Sequence, residues 1–492
     1  MNFKAVFYIL GTLLIVLGVC MLFSLGWSLY YGEDDVQALL ISIGITLACG
    51  FLLRAFTSLK GTLGIRDGFL VVTLGWILAG VFGALPFVFY GAVDHFIDGF
   101  FETISGFTTT GATIITDVEI LPHGILFWRS FTHWLGGMGI IVLFLALLPK
   151  IGAGAMNLFK AEVPGPVAEK VSPRITQTAK MLWFIYLGVS LLQTILLMLT
   201  GFNLFDALTH TFGTVATGGF STRNLSVGAF QNPAAEIVII IFMVIAGANF
   251  GLYYFLLQGQ WRKVFKDSEL RFYIGLILLC TGLVVFNIGQ TFPSYFDGLR
   301  TSAFQVVSIM TTTGFGTANF DAWPEFSRLM MLLLMFLGGC AGSTGGAMKQ
   351  IRILILFKYA YRELRQMLQP KAVIPIRVGE KTVPDSVAKN ILGFVIIYIA
   401  IFIVSSLFMT LLGLDLTTAI SSVAATIGNI GPGLGQVGPV CNYSEIPQIG
   451  KLYLSILMLL GRLELFTVVL CFIPEFWQNV RFTVSSQTMS ME

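Results

Sequence analysis

Charge is what this chain has least of. Only 11% of its 492 residues are Asp, Glu, Lys or Arg, while 56% are hydrophobic. An ordinary soluble domain carries roughly 25% charged residues, so most of this chain is solvated by lipid or by its own apolar helices. Lys and Arg exceed Asp and Glu by 29 to 26, a surplus too small to argue for nucleic acid. The six cysteines (Cys20, Cys49, Cys280, Cys340, Cys441, Cys471) are scattered, most in or beside apolar runs. None has disulfide or metal-ligand spacing, and they read as small core residues. The four histidines (His95, His123, His133, His210) are also dispersed. A membrane enzyme or receptor predicts clustered His, Cys or carboxylates in its spans, and the sequence has no such cluster.

Long apolar runs are abundant instead. About 20 apolar residues cross a bilayer, and runs of suitable length lie at roughly 5–30, 36–57, 68–90, 125–148, 180–201, 235–257, 271–290, 327–357, 388–412 and 450–473. The first exceeds a signal-peptide core and lacks a clear small-residue cleavage site, so it reads as a retained helix. Shorter apolar stretches at 96–108, 203–215, 297–312 and 415–428 sit between spanning runs. Each is too short to cross and reads as a re-entrant half-helix. After an N-terminal pair, the order long, short, loop, long recurs four times.

Basic residues fall in alternate loops: Lys60 and Arg66; Lys150, Lys160, Lys170 and Arg174; Arg262, Lys263, Lys266 and Arg271; and nine from Lys349 to Lys389. The other loops carry Glu33, Asp34, Asp35, Asp94, Asp98, Asp117, Glu119, Asp321, Glu325 and Glu445. The positive-inside rule makes the basic set cytoplasmic and places both termini there. The acids then face outward, where they add solubility and can concentrate cations at a pore mouth.

After each half-helix comes one small-residue phrase, at a period of about 100 residues. The phrases contain Thr109-Thr110-Gly111, Ala216-Thr217-Gly218, Thr312-Thr313-Gly314 and Asn429-Ile430-Gly431. A half-helix points its partly negative C-terminal end at a cation. Carbonyls of the following loop can replace lost hydration without a buried fixed charge. Glycine permits the backbone angles such a loop needs, which assigns that part to Gly111, Gly218, Gly314 and Gly431. In the fourth phrase Gly428 is a rival for Gly431.

Two features lie beyond these phrases. Residues 338–347 are rich in Gly, Ser and Thr and interrupt a spanning run. Exposed backbone at that depth is tolerable only against protein or water. The stretch reads as a loop across a pore, or else as a packed kink. It lacks the Gly-Lys-Ser/Thr ending of a phosphate loop. Arg462 sits inside the last apolar run, where a central arginine costs about 2.5–3.5 kcal/mol on insertion scales. It should face water or tie helices through carbonyls.

With these residues in view, the chain resembles the Trk/Ktr/HKT superfamily of potassium transporters, and within it the TrkH-type subunits. The phrases above, Gly338-Gly339-Cys340-Ala341-Gly342-Ser343-Thr344-Gly345-Gly346 and Gly461-Arg462-Leu463-Glu464 carry the resemblance. It implies an all-α polytopic membrane protein with four pseudo-symmetric helix–pore-loop–helix units around one pore, plus two extra N-terminal transmembrane helices. The expected divisions are 1–60 for the helix pair, then units at 61–150, 151–260, 261–370 and 371–492. The implied function is potassium uptake across the bacterial inner membrane, not enzymatic and without an organic cofactor in this chain. The alternative is a sodium-coupled or sodium-permeable symporter on the same scaffold. Potassium, with rubidium or some sodium, would pass a filter of Thr109, Thr110, Gly111, Ala216, Thr217, Gly218, Thr312, Thr313, Gly314, Asn429, Ile430 and Gly431. Gly338, Gly339, Gly342, Ser343, Thr344, Gly345, Gly346 and Arg462 would form the gate. Implied partners are membrane lipid, a second copy of the chain and a cytosolic, TrkA-type ring that binds nucleotides. The basic segment 349–389 offers such a ring a docking surface.

Overall fold

A computed structural model describes residues 1–58, 63–139, 175–379 and 381–477. Lys60, Lys150, Lys160, Lys170 and Arg174 lie outside the described residues, as do the expected divisions near 60 and 150.

The chain opens with two antiparallel helices, Phe3–Tyr31 and Val36–Ala55. The Asn2 side chain caps the first, and Gly32, at φ 69°, ends it. A Cβ on Gly11 would lie 2.8 Å from the Gly50 carbonyl oxygen, and one on Gly50 2.9 Å from that of Gly11. Glycine facing glycine lets the two backbones approach closely, a common device of membrane helices.

Four units follow, and in each the first long helix is continuous. These helices span Arg66–Tyr90, Ala179–Leu199, Ser268–Thr291 and Asp385–Leu411. With the N-terminal pair they make six helices long and apolar enough to cross a membrane among the described residues. The four half-helices are Phe96–Phe107, Leu204–Val215, Tyr295–Met310 and Leu416–Ile427. Asn203, Ser294 and Asp415 cap three of them by side chain, satisfying first-turn N–H groups that the helix itself cannot.

The second long helix of each unit differs from a straight span. In the first unit, helix His123–Gly137 is followed by Gly139 at φ 76°. In the second, Pro233–Ala246 and Phe250–Leu257 meet at 96°. In the third, residues 335–349 separate Glu325–Leu334 from Gln350–Leu368. In the fourth, helix Gln448–Arg462 breaks at Glu464 and Leu465, both left-handed at φ 57° and 47°. Apolar runs at 235–257, 327–357 and 450–473 are therefore not single helices. Hydropathy counts apolar residues but does not see the chain's direction. The freed backbone finds partners at other breaks: Cys340 N–H donates to the Gly247 carbonyl (2.8 Å) and Phe250 N–H to that of Gly342 (3.0 Å). That satisfaction is what permits irregular backbone at membrane depth.

One buried apolar cluster joins the N-terminal pair with the first and fourth units and part of the second, and another joins the second and third with Ala424, Ile430 and Leu434 of the fourth. The basic segment is a helix, Gln350–Leu368, and then a small antiparallel hairpin, Ile376–Val378 with Lys381–Val383.

Candidate ion pathway

Each half-helix ends in the same hydrogen-bonded turn. The N–H groups of Thr110, Gly218, Thr313 and Ile430 reach back five residues to the carbonyls of Ser105, Gly213, Ser308 and Ala425, at 2.7–2.8 Å. The preceding residues Thr109, Thr217, Thr312 and Asn429 are all left-handed, at φ 55°, 56°, 60° and 53°. The glycines that follow, Gly111, Gly219, Gly314 and Gly431, are left-handed too, at φ 80°, 81°, 81° and 97°. Four unlike sequences thus share one backbone path.

This path corrects the register of the second phrase. The glycine equivalent to Gly111 is Gly219, not Gly218. Gly218 stands with Thr110, Thr217 with Thr109, and Ala216 at the half-helix C-cap. The signal was in the sequence: Asp98 to Gly111 and Asp206 to Gly219 are equally spaced. Between the rivals of the fourth phrase, Gly428 is an ordinary right-handed C-cap, and Gly431 takes the left-handed place.

The four strands close on one another. A Cβ on Gly111 would fall 2.1 Å from the Gly218 carbonyl oxygen. One on Gly219 would fall 2.0 Å from that of Thr313, one on Gly314 2.0 Å from that of Ile430, and one on Gly431 2.6 Å from that of Thr110. First touches second, second third, third fourth and fourth first. The carbonyls of Thr110, Gly218, Thr313 and Ile430 therefore stand around a common axis, and only glycine fits beside each.

Polar contacts hold the seams. Glu102 and Arg129 form a buried pair at 2.6 Å, and Arg129 donates to the Ser221 carbonyl across the first seam (2.9 Å). Glu236 meets Arg300 at 2.8 Å across the second. Asp321 accepts from Gly435 N–H across the third (3.1 Å). Asp98 pairs with Lys451 across the fourth (2.8 Å). The partners across the seams are distant in the chain, and no local sequence pattern announces them.

Beneath the ring lies the loop 338–347. Its stem is zipped: Gly338 N–H donates to Met348 O, and the amide of Gln350 donates to Gly338 O at 2.6 Å. Its tip touches several units. The Thr344 hydroxyl lies 3.0 Å from Val215 O and 3.2 Å from Ala246 O. Gly346 N–H donates to the Thr312 hydroxyl at 2.7 Å, and a Cβ on Gly346 would sit 2.4 Å from Gly428 O. A Cβ on Gly339 would lie 2.6 Å from Gly247 O and one on Gly345 3.1 Å from Thr311 O, and Gly342 is left-handed at φ 75°. The Ser343 hydroxyl turns inward to Cys340 O.

Arg462 joins this loop to the ring. Its guanidinium donates to the Thr109 hydroxyl (3.1 Å), Thr344 O (2.6 Å), Gly136 O (2.6 Å) and Gly137 O (2.8 Å). Glu464 turns away from it and pairs with Arg352. The Glu269 carboxylate accepts from Ala341 N–H (2.7 Å) and Ile351 N–H (2.9 Å), spanning the loop's two ends. No sequence motif announces Glu269.

Fold and site together define a pseudo-fourfold pore-loop membrane protein written in one chain. The TrkH cation transport protein family profile matches residues 36–479. The chain is 42% identical to the Trk system potassium uptake protein TrkH of Escherichia coli K12, over 97% of this chain and 100% of that one. It is 34% identical to the TrkG protein of the same organism, over 97% and 99%. The crystal structure of the potassium transporter TrkH from Vibrio parahaemolyticus superposes with a TM-score of 0.88 at 38% identity, covering 97% of this chain and 100% of that one. This chain belongs to the TrkH family of cation transport proteins.

Proposed function

We propose that this protein takes up potassium through a filter of backbone carbonyls. The closed circuit of glycine-to-carbonyl contacts is the observation that carries the reading. In the corrected register, Thr110, Gly218, Thr313 and Ile430 offer carbonyl oxygens to a dehydrated cation. Thr109, Thr217, Thr312 and Asn429 stand one residue below, at the C-terminal ends of the half-helices. Those ends carry partial negative charge, so attraction needs no buried carboxylate on the axis. A single glycine per unit makes a filter shorter than the multi-residue Thr-Val-Gly-Tyr-Gly type, and rubidium should pass with potassium.

The loop 338–347 gates this path from below, with Arg462 opposing cation occupancy beside Thr109. A swing of the loop tip opens it. The membrane potential supplies about 2.3 kcal/mol per charge per 100 mV, enough to drive uptake with no nucleotide site in this chain. Nucleotide control would come from a cytosolic ring docked on the helix Gln350–Leu368 and the hairpin after it, where exposed Arg365, Lys371 and Arg377 suit an acidic surface. The protein sits in a bacterial inner membrane with both termini cytoplasmic and works as a homodimer.

Radioactive rubidium uptake into liposomes holding the purified chain, with potassium and sodium as competitors, tests the reading. Potassium should displace rubidium far better than sodium does. Equal displacement, or uptake that requires sodium, favours the symporter instead. Adding a regulatory ring with and without nucleotide tests the gating.

A further inference from the structure

The second strand of the ring is the one least able to hold its own shape. It runs Thr217-Gly218-Gly219, two adjacent residues without side chains. The fourth strand, by contrast, is stiffened by Pro432 directly after Gly431, since proline fixes its own φ. What holds the second strand comes from the first unit.

His133 is fully buried behind it. Its Nδ1 lies 2.7 Å from the Gly106 carbonyl, and its Nε2 lies 3.2 Å from Phe220 N–H. A carbonyl only accepts and an amide N–H only donates, so the ring must be neutral, with its proton on Nδ1. The imidazole also fills the space behind Gly218, where a Cβ would lie 2.4 Å from it. One helical turn earlier on the same helix, Arg129 donates to the Ser221 carbonyl and lays its guanidinium 3.6 Å from the centre of the Phe220 ring. Phe220 is thus gripped from two sides, its ring centre 4.1 Å from that of His133. Both gripping residues are anchored in turn on the first half-helix: Arg129 on the Glu102 carboxylate at 2.6 Å, His133 on Gly106.

We propose that Arg129 and His133 form a bracket that fixes the second filter strand to the first half-helix and thereby sets cation selectivity. Neither touches the ion, so both are positioning residues. The assignment rests on reading the ring as a potassium filter. With the bracket in place, the Gly218 carbonyl cannot retreat from the axis, because the imidazole stands behind its Cα. Without it, the two glycines are free to widen the ring toward larger hydrated species.

The full-length protein in liposomes tests this through the rubidium-over-sodium uptake ratio, with melting temperature and elution as separate measures of folding. His133→Ala should lower the ratio by about tenfold, the scale of one lost buried hydrogen bond. His133→Gln should recover most of it, because an amide can donate to Gly106 and accept from Phe220. Arg129→Lys keeps the charge beside Glu102 but loses the planar fork, and should lower the ratio less. Gly218→Ala should destroy discrimination in the native background yet add little to His133→Ala, since the clash partner is gone; such non-additivity marks direct contact. An unchanged ratio in a folded His133→Ala protein overturns the proposal. So does a ratio that falls only in step with melting temperature and is not rescued by His133→Gln. Should His133→Ala not fold, Arg129→Lys and Gly218→Ala decide: native ratios in both proteins overturn the bracket. A native protein that does not discriminate rubidium from sodium overturns the filter reading itself, and is told apart because it involves no substitution.

Discussion

The carbonyl ring and the loop beneath it are built on opposite plans. The ring repeats one backbone path four times from four different sequences, down to matching left-handed angles. The loop 338–347 occurs in the third unit, and its tip reaches Val215 and Ala246 of the second, Thr312 of its own, and Gly428 and Arg462 of the fourth. Replacing a cation's hydration requires oxygens all round an axis, so symmetry is imposed on backbone whatever the side chains. Opening and closing needs one element that moves against the rest. A fourfold scaffold gains control by breaking its symmetry in one place.

The largest expected effect separates the two plans. Gly219→Ala puts a Cβ 2.0 Å from the Thr313 carbonyl at a residue held at φ 81°, so both sterics and backbone oppose it. Selective rubidium uptake should be lost. Gly316→Ala, whose Cβ would meet nothing nearer than 4.0 Å, should behave as the native protein. Equal behaviour of the two variants would break the idea that ring glycines differ from neighbouring ones.

Below the ring, substitutions should change rate and leave discrimination alone. Arg462→Ala removes the donor shared by Thr109, Thr344, Gly136 and Gly137. Basal flux should rise about tenfold or more if one or two of these bonds, each worth about 1 kcal/mol net, hold the loop shut. Unchanged flux together with lost folding would make Arg462 a structural tie. Thr344→Val keeps the shape and deletes only the hydroxyl contacts to Val215 and Ala246. Flux should rise several-fold, at an unchanged rubidium-over-sodium ratio. A changed ratio would mean that loop and ring are not separable.

Much of this plan was legible in the chain. The half-helices fell where short apolar stretches sat between long ones, within one or two residues, because length against bilayer thickness is a physical criterion. Membership of the family followed from the same phrases. The register of the second strand was misread because Ala216-Thr217-Gly218-Gly219 offers two glycines, and a Thr-Gly pair imitates its neighbours. Counting from Asp206 gives the right one. The bends in the second and fourth units were not legible, since Gly247-Ala248-Asn249 and Gly461-Arg462-Leu463-Glu464 interrupt their apolar runs too briefly to lower the hydropathy of a span. Nor were Asp98 with Lys451 or Arg352 with Glu464, since pairing across units is set by the closed ring and not by local pattern.

The smallest effect tests what the half-helices contribute at their outer ends. Asp415 caps the fourth, its carboxylate accepting the Thr418 N–H at 3.1 Å, whereas the first half-helix begins at His95 with no side-chain cap. The hydrogen bond from the Thr418 side chain, with further bonds from the Thr418 and Thr417 backbone, holds the Asp415 carboxyl below its ordinary value. A lowered folded pKa contributes stability above the unfolded value of about 3.9, and that stability is lost as pH falls through the folded value. Asp415→Ala should therefore cost about 1 kcal/mol near neutrality, the usual worth of an N-cap, while Asp415→Asn costs less. The gap between Asp415→Ala and native melting temperatures should narrow as the medium is acidified toward the carboxyl's folded pKa. If the gap is flat with pH, the cap acts through its hydrogen bond alone and the carboxylate's charge adds nothing at the helix N-terminus. A selectivity ratio that stays native in all these variants would confine the capped outer ends to supporting the half-helices, and leave discrimination to the four glycine-backed carbonyls at their inner ends.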